Sequence, residues 1–195
     1  MDHHKPAEGN YKRFMAMVGT STVIMFGLMY LNTYALDHVM WSETRFWMMF
    51  LMGAVMAVVM LLFMWRMYRN TAKNWIIIGI ACAIFALSLF LVRSQVTVDD
   101  EEYMSAMIPH HSIAIMTSER AQIKDVRVRA LANGIIRAQR KEIAEMKWLI
   151  DDIETNGIAQ TREEGFERPV PKFEGHLNEN DWDPDLPNGG VRAVE

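Results

Sequence analysis

The chain has 195 residues, 51% of them apolar, with 17 methionines, one cysteine and a formal net charge of −4. That charge argues against a nucleic-acid partner. The single cysteine, Cys82, sits inside an apolar run and excludes both an intrachain disulfide and a thiolate cluster.

The apolar residues crowd the first half of the chain and the charges crowd the second, so the sequence reads as two regions built for different solvents. Three apolar stretches approach the roughly 20 residues a helix needs to cross a bilayer. They run from about Phe14 to Leu36, Phe46 to Met67 and Trp75 to Val92. The first is too long for a signal peptide and has no small-residue cleavage site. Lys5, Lys12 and Arg13 precede it, and Arg66, Arg69 and Lys73 separate the second stretch from the third. Basic flanks stay inside, so the N-terminus is expected in the cytoplasm. The loop bearing Asp37, Glu43 and Arg45, and everything after Val92, are then expected outside, most simply at a bacterial inner membrane. Arg93 runs against this assignment; Trp41, Trp47 and Trp75 suit interfacial positions.

Small residues at helical spacing, Gly53 with Ala57 and Gly79 with Ala83, would let the second and third spans pack closely. The second span also carries Met49, Met52, Met56, Met60, Met64 and Met67 within about 60° of one meridian. A thioether ladder for Cu(I) is one reading of that stripe. Packing or a lipid-facing surface is the plainer one.

From Asp99 onward the pattern becomes that of an amphipathic helical hairpin. The acidic run Asp99 to Glu102 suits a helix start. The first helix reads to about Ala121, with a kink or break expected around Ser105 to Ile108 because of Pro109. After a turn at Ile123 to Asp125, a second helix reads to Thr155 and stops at Asn156-Gly157. The rest, with Pro169, Pro171, Pro184, Pro187 and Gly189-Gly190, reads as an extended or disordered tail. The expected fold is all-α: a cytoplasmic segment 1–13, three transmembrane helices in 14–93, an outer hairpin in 98–156 and a tail in 157–195.

On the second helix Leu131, Ile135, Ala138, Leu149 and Ile153 form the stripe expected to face the first, and Gln139, Glu142 and Met146 share it. A carboxylate there is costly unless paired, hydrogen-bonded or bound to a cation. On the first helix Met104, Met107, His111 and Ile115 share a face, with His110 nearby. Imidazole and thioether side by side suit copper, the thioether favouring Cu(I). Glu142 reads either as a hard ligand or as the acceptor that fixes a histidine tautomer. Core packing competes for Met107 and Met146, and more strongly for Met104 and Met116; Gln139 reads as a hydrogen-bonding residue. His38 and Met40, in the outer loop, could pass metal to the hairpin, though an interfacial histidine beside Trp41 accounts for His38 equally simply. His3 and His4 read as solvated, and His176 has no evident partner.

The run Met107-Ile-Pro-His-His-Ser-Ile-Ala-Ile-Met116 resembles the signature of the family known as domain of unknown function 305. The second helix extends the likeness through Leu131-Ala132, Ile135-Ile136, Gln139, Glu142-Ile143, Met146 and Trp148-Leu149. The resemblance spans about Glu101 to Ile153. It implies a ferritin-like helical bundle and copper at Met107, His110, His111 and Met146, since some members are periplasmic copper-binding proteins. Longer members carry more helices and further Met and His residues; this chain carries one hairpin, behind spans that resemble the membrane-anchored members.

Three function classes follow. One is a membrane-anchored, extracytoplasmic copper protein for buffering, resistance or delivery, with membrane lipid and a copper-handling protein as partners. Another is a membrane structural or assembly protein whose hairpin docks a subunit without metal. The third, a ferritin-like oxidase, is opposed by the absence of any Glu-x-x-His in the two outer helices. No catalytic constellation is found, so no enzyme is expected. Ile136, Ile143 and Ile150 make a second apolar arc on the last helix, displaced from Leu131 and Leu149. A homodimer through the outer hairpin, giving a four-helix bundle, is expected to cover it. A tail folding back with Phe166, Phe173 and Trp182 is the alternative cover.

Overall fold

The computed structural model describes residues 10–178. His3, His4, Trp182, Pro184, Pro187 and Gly189-Gly190 lie outside them. The described chain is all-helical: α1 (Tyr11–Leu28), α2 (Glu43–Phe63), α3 (Thr71–Ser94), α4 (Asp100–Arg120), α5 (Val126–Asn156) and α6 (Arg162–Glu167), with a 3-10 turn at Leu36–His38. Each α-helix starts on a residue whose side chain caps its free N–H groups: Asn10, Ser42, Asn70, Asp99, Asp125 and Thr161 in turn. Thr161 and Glu164 complete a reciprocal capping box. Gly157 ends α5 with φ +78°, in the half of backbone space that glycine enters without strain.

The chain divides into two compact units, one holding α1 to α3 and the other joining Asn32–Trp41 to Asp99 and the residues after it. In the first, two helices, Glu43–Phe63 and Thr71–Ser94, are long and apolar enough to cross a membrane. α1 stops at Leu28 rather than near Leu36, has Lys12 and Arg13 in its first turn, and is not one of the two. The small-residue expectation needs correcting. Gly53 lies against α1, where a Cβ would come within 2.7 Å of Thr22 Oγ1, and Ala57 packs with Phe14 and Val18 of the same helix. Gly79 has open space around it. α3 instead buries Asn74, Ala81 and Ser88, one residue every two turns. Spacing shows that a helix can approach closely, but not which neighbour does. One end of this unit is tied by polar bonds: the Tyr11 hydroxyl donates to Asn74 Oδ1 (2.8 Å), and Asn74 Nδ2 donates to the Tyr68 carbonyl (2.7 Å).

Part of the methionine stripe packs inside this unit. Met49 is buried, Met60 and Met64 lie against the Phe14–Leu61 cluster, and Met64 and Met67 fall beyond the end of α2.

In the second unit α4 and α5 form the hairpin. Pro109 does not break α4, which runs unbroken from Asp100 to Arg120. The missing proline N–H costs one bond to the Ser105 carbonyl, while Ile108 and Pro109 are both buried and hold this part of the helix in the core. The core is Met104, Ile108 and Ile115 from α4 with Ile143 and Ile150 from α5, and Ile136 is also fully buried. The expected inward stripe holds in its second half, where Met146, Leu149 and Ile153 pack on this core, and is corrected in its first half: Ile136, Ile143 and Ile150 are the buried positions, about a third of a turn away, while Leu131 and Ala138 are exposed.

Two segments cover one side of this hairpin. From the loop after α1, the Tyr34 N–H donates to Ser112 Oγ (2.7 Å), His38 Nδ1 lies 2.9 Å from the same oxygen, and Lys147 donates to Asp37 (2.6 Å). Tyr34 and Met40 pack on the core. The tail is not simply extended. It forms α6, then Arg168 donates to Asp152 (2.8 Å), and residues near 175 return to α5. Gly175 presses on the Arg137 backbone so closely that a Cβ would collide with the Arg137 carbonyl. Arg140 joins all these parts: it pairs with Glu119, donates to the His176 carbonyl (2.6 Å) and to Asn178 Oδ1 (3.1 Å), and lies over the Tyr34 ring. Phe166, expected as cover, is exposed instead.

Candidate metal site

The hairpin has two flanks, set by the helical register. Ser112 and Glu119 on α4, with Arg140 and Lys147 on α5, project toward the covering loop and tail. Met107, His110 and His111 on α4, with Glu142 on α5, project to the opposite flank. There His111 Nδ1 lies 3.1 Å from Glu142 Oε2, with the imidazole 13% and the carboxylate 46% exposed. The distance suits a hydrogen bond but the direction does not: Nδ1 is buried and has no hydrogen-bond partner. Burial is the largest influence on His111 and holds it below the usual histidine range; Glu142 pulls the other way, and His110 adds to the lowering. His110 is exposed, its ring 6.0 Å from that of His111.

The structure thus brings His111 and Glu142 together, with His110 beside them. Met107 is half-buried on the same flank, one turn before His111. Met146 packs onto the core one turn after Glu142, and Met104 is a buried member of the core, which is the packing role. Met116 lies about 140° around α4 from His111 and does not join it. Gln139 is half-buried one turn before Glu142. Among the described residues no three His, Cys, Asp or Glu side chains converge as a metal site, so any set richer than the His111–Glu142 pair needs thioethers or outside donors.

The profile of the family described as Domain of unknown function (DUF305) matches residues 91–168. An uncharacterised protein of Acanthamoeba polyphaga mimivirus is 36% identical over 109 residues, covering 55% of this chain and 70% of the relative. The chain belongs to the DUF305 family. No solved structure matches it. The DUF305 match takes in α4, α5, α6 and Arg168, so the whole Met107–Glu142 flank lies within the family domain. Tyr34, Asp37 and His38 lie outside it, and so does Asn178. The covering loop and the end of the tail thus lie outside the matched residues.

Periodicity and motif spacing do not reveal the polar network on the covered flank. Glu119 and Arg140 are each only 11% exposed. The available signal was that both belong to the register of the core, Glu119 one turn beyond Ile115 and Arg140 one turn beyond Ile136.

Proposed function

We propose that this chain is a membrane-anchored, extracytoplasmic copper-binding protein that buffers, resists or delivers the metal, with its site on the α4–α5 hairpin. One observation carries the reading: His111 Nδ1, buried and without a hydrogen bond, lies 3.1 Å from a carboxylate oxygen that is out of line with it. Imidazole nitrogen and carboxylate oxygen bind borderline metals at about 2.0–2.2 Å, so two such ligands on one ion stand roughly 2.9–3.5 Å apart. A histidine donating to its carboxylate would be aligned; two donors aimed at a shared cation need not be. Imidazole suits copper in both oxidation states, and the thioethers Met107 and Met146 extend the site toward Cu(I). When bound, the metal would be held by His111 and Glu142 and would supply a positive charge between them.

The membrane part of the proposal rests on α2 and α3 and on the exposed apolar surface of all three helices, including Val23, Ile24, Val55, Trp75, Ile80 and Phe90. With α1 as a third span, the basic flanks Lys12-Arg13 and Arg66 to Lys73 put the N-terminus in the cytoplasm and the hairpin outside.

The test is a Cu(I) competition titration on the full chain in detergent, beside the His110→Ala/His111→Ala double variant. The full chain is needed because a fragment starting near residue 96 loses the loop that covers the hairpin core. The expected result is Cu(I) bound more tightly than Zn(II), with most of the affinity gone in the double variant. An unchanged titration would favour the alternative, a membrane assembly protein. That alternative draws on the Glu119–Arg140 network, which gives the hairpin a polar framework with no need of metal.

A further inference from the structure

The turn of the hairpin is basic and apolar at once. Four basic residues and one acid, Asp125, lie between Arg120 and Arg129. Arg129 is taken up in closing α4, where it donates to the Ser118 and Ala121 carbonyls (2.8 and 2.9 Å). Arg120, Lys124 and Arg127 are exposed, and Arg127 reaches back to Asp125 (2.7 Å), so positive charge is in excess. Large apolar side chains stand among these charges: Val126 is 61%, Val128 49% and Leu131 65% exposed. A shallow cleft of about 220 Å³ opens there, lined by Thr117 and Ser118 of α4, Ile123 of the turn, and Val128, Leu131 and Ile135 of α5. That is below the roughly 300–1,000 Å³ of small-molecule pockets and suits one bulky side chain. The described chain ends close by. Asn178 Nδ2 donates to Glu119 Oε1 (2.9 Å), and Glu119 stands between Ser118, which lines the cleft, and Arg120. The next residues, 179–187, bring Glu179, Asp181, Asp183 and Asp185 with no base, and the apolar Trp182 and Leu186.

We propose that residues 179–187 of the same chain cross the tip of the hairpin and dock on this patch, with Trp182 in the cleft and the acids against Arg120, Lys124 and Arg127. The inference is independent of the copper reading. Three features select this occupant. The first is charge: four acids meet a surface whose exposed cations outnumber its one acid. The second is reach. Val128, Leu131 and Ile135 lie about 120–180° around α5 from Arg140, so the segment must pass from the covered flank to the other. Four residues from Asn178 to Trp182 extend about 13 Å, against the 10–12 Å across a helix. The third is the tether, which holds the segment near the patch at an effective concentration on the order of millimolar. A tethered contact of this size is weak in itself, so its loss changes where the segment sits rather than how firmly the hairpin folds.

The experiment is zero-length carbodiimide crosslinking of lysine to carboxylate on the full chain in detergent, read by peptide mass spectrometry. Isotope-labelled and unlabelled chains are mixed so that links within and between chains are told apart. Lys141 on α5, with its side chain 49% exposed, is the reference lysine. The expected result is Lys124 joined to Asp181, Asp183 or Asp185 of its own chain, at about fivefold or more the yield at Lys141. That yield should fall to the Lys141 level in 1 M salt, where charges are screened beyond roughly 3 Å. It should fall several-fold in Trp182→Ala and in Leu131→Asp, the latter at an exposed position and checked for native helical content. Equal yields at Lys124 and Lys141 in the unaltered chain overturn the docking. Links that join labelled to unlabelled chains overturn it in favour of a second copy. Links that vanish when anionic phospholipid is added at constant ionic strength overturn it in favour of lipid headgroups on the patch.

Discussion

The assignment of the buried stripe on α5 is open to a direct comparison between two alanine substitutions. Ile136 has no exposed surface, and Leu131 is 65% exposed. Ile136→Ala removes three carbons from a fully enclosed site, which costs about 2–5 kcal/mol in a core that relaxes little. Leu131→Ala removes a comparable side chain from the surface and should stay within about 0.5 kcal/mol. The assay is urea unfolding of the metal-free full chain in detergent micelles, followed by far-ultraviolet circular dichroism. Micelle-embedded helices resist urea, so the transition reports the hairpin unit. Metal is left out so that ligand binding does not add to the measured stability. The reasoning fails if Leu131→Ala costs as much as Ile136→Ala, or if Ile136→Ala is close to neutral.

Three further outcomes follow from the covered flank and the histidines. Arg140→Ala leaves the Glu119 carboxylate, only 11% exposed, without its cation and with Asn178 Nδ2 (2.9 Å) as a neutral donor; a loss of about 3 kcal/mol is expected in the same urea assay, along with faster proteolysis after α6. Gly175→Ala forces the tail off Arg137, so hydrogen exchange should rise around residues 173–178 while the amides of α4 and α5 stay protected. Burial is the largest influence on both His38 and His111, and it lowers both. Neutral imidazole is thus the form the fold prefers, and the metal-free hairpin should keep its full stability above about pH 6.5. It should lose stability as pH falls from there through the folded values. A urea midpoint that rises on acidification through that window would contradict the assignment. Asp37, held low chiefly by its bond from Lys147, contributes fully above the usual carboxylate range, and that contribution is lost in a separate, more acidic step as pH falls through its lowered value.

Much of this architecture is legible along the chain because its signals are local. Asp99 and its acidic run mark the start of α4, and Asn156-Gly157 marks the end of α5. His111 and Glu142 are legible as odd polar residues beside apolar stripes, and the structure brings them together. The choice between Leu131 and Ile136 is not local. Both arcs of α5 are apolar, and what selects one is the position of Ile108 and Ile115 on α4. The Tyr34 and His38 bonds to Ser112 join residues more than 70 positions apart, across two apolar helices, and no periodicity points to them. The return of the tail turns on one close approach at Gly175, in a stretch whose composition reads as unstructured. α1 ends at Leu28 although apolar residues continue to Leu36, because from Met29 the chain turns away to supply the loop that covers the hairpin.

Copper K-edge absorption on the copper-loaded full chain tests the central claim most directly, because it reads the ligands rather than the affinity. The account predicts imidazole scattering that falls in the His111→Ala variant. A spectrum without imidazole, or one identical in wild type and His111→Ala, would contradict it.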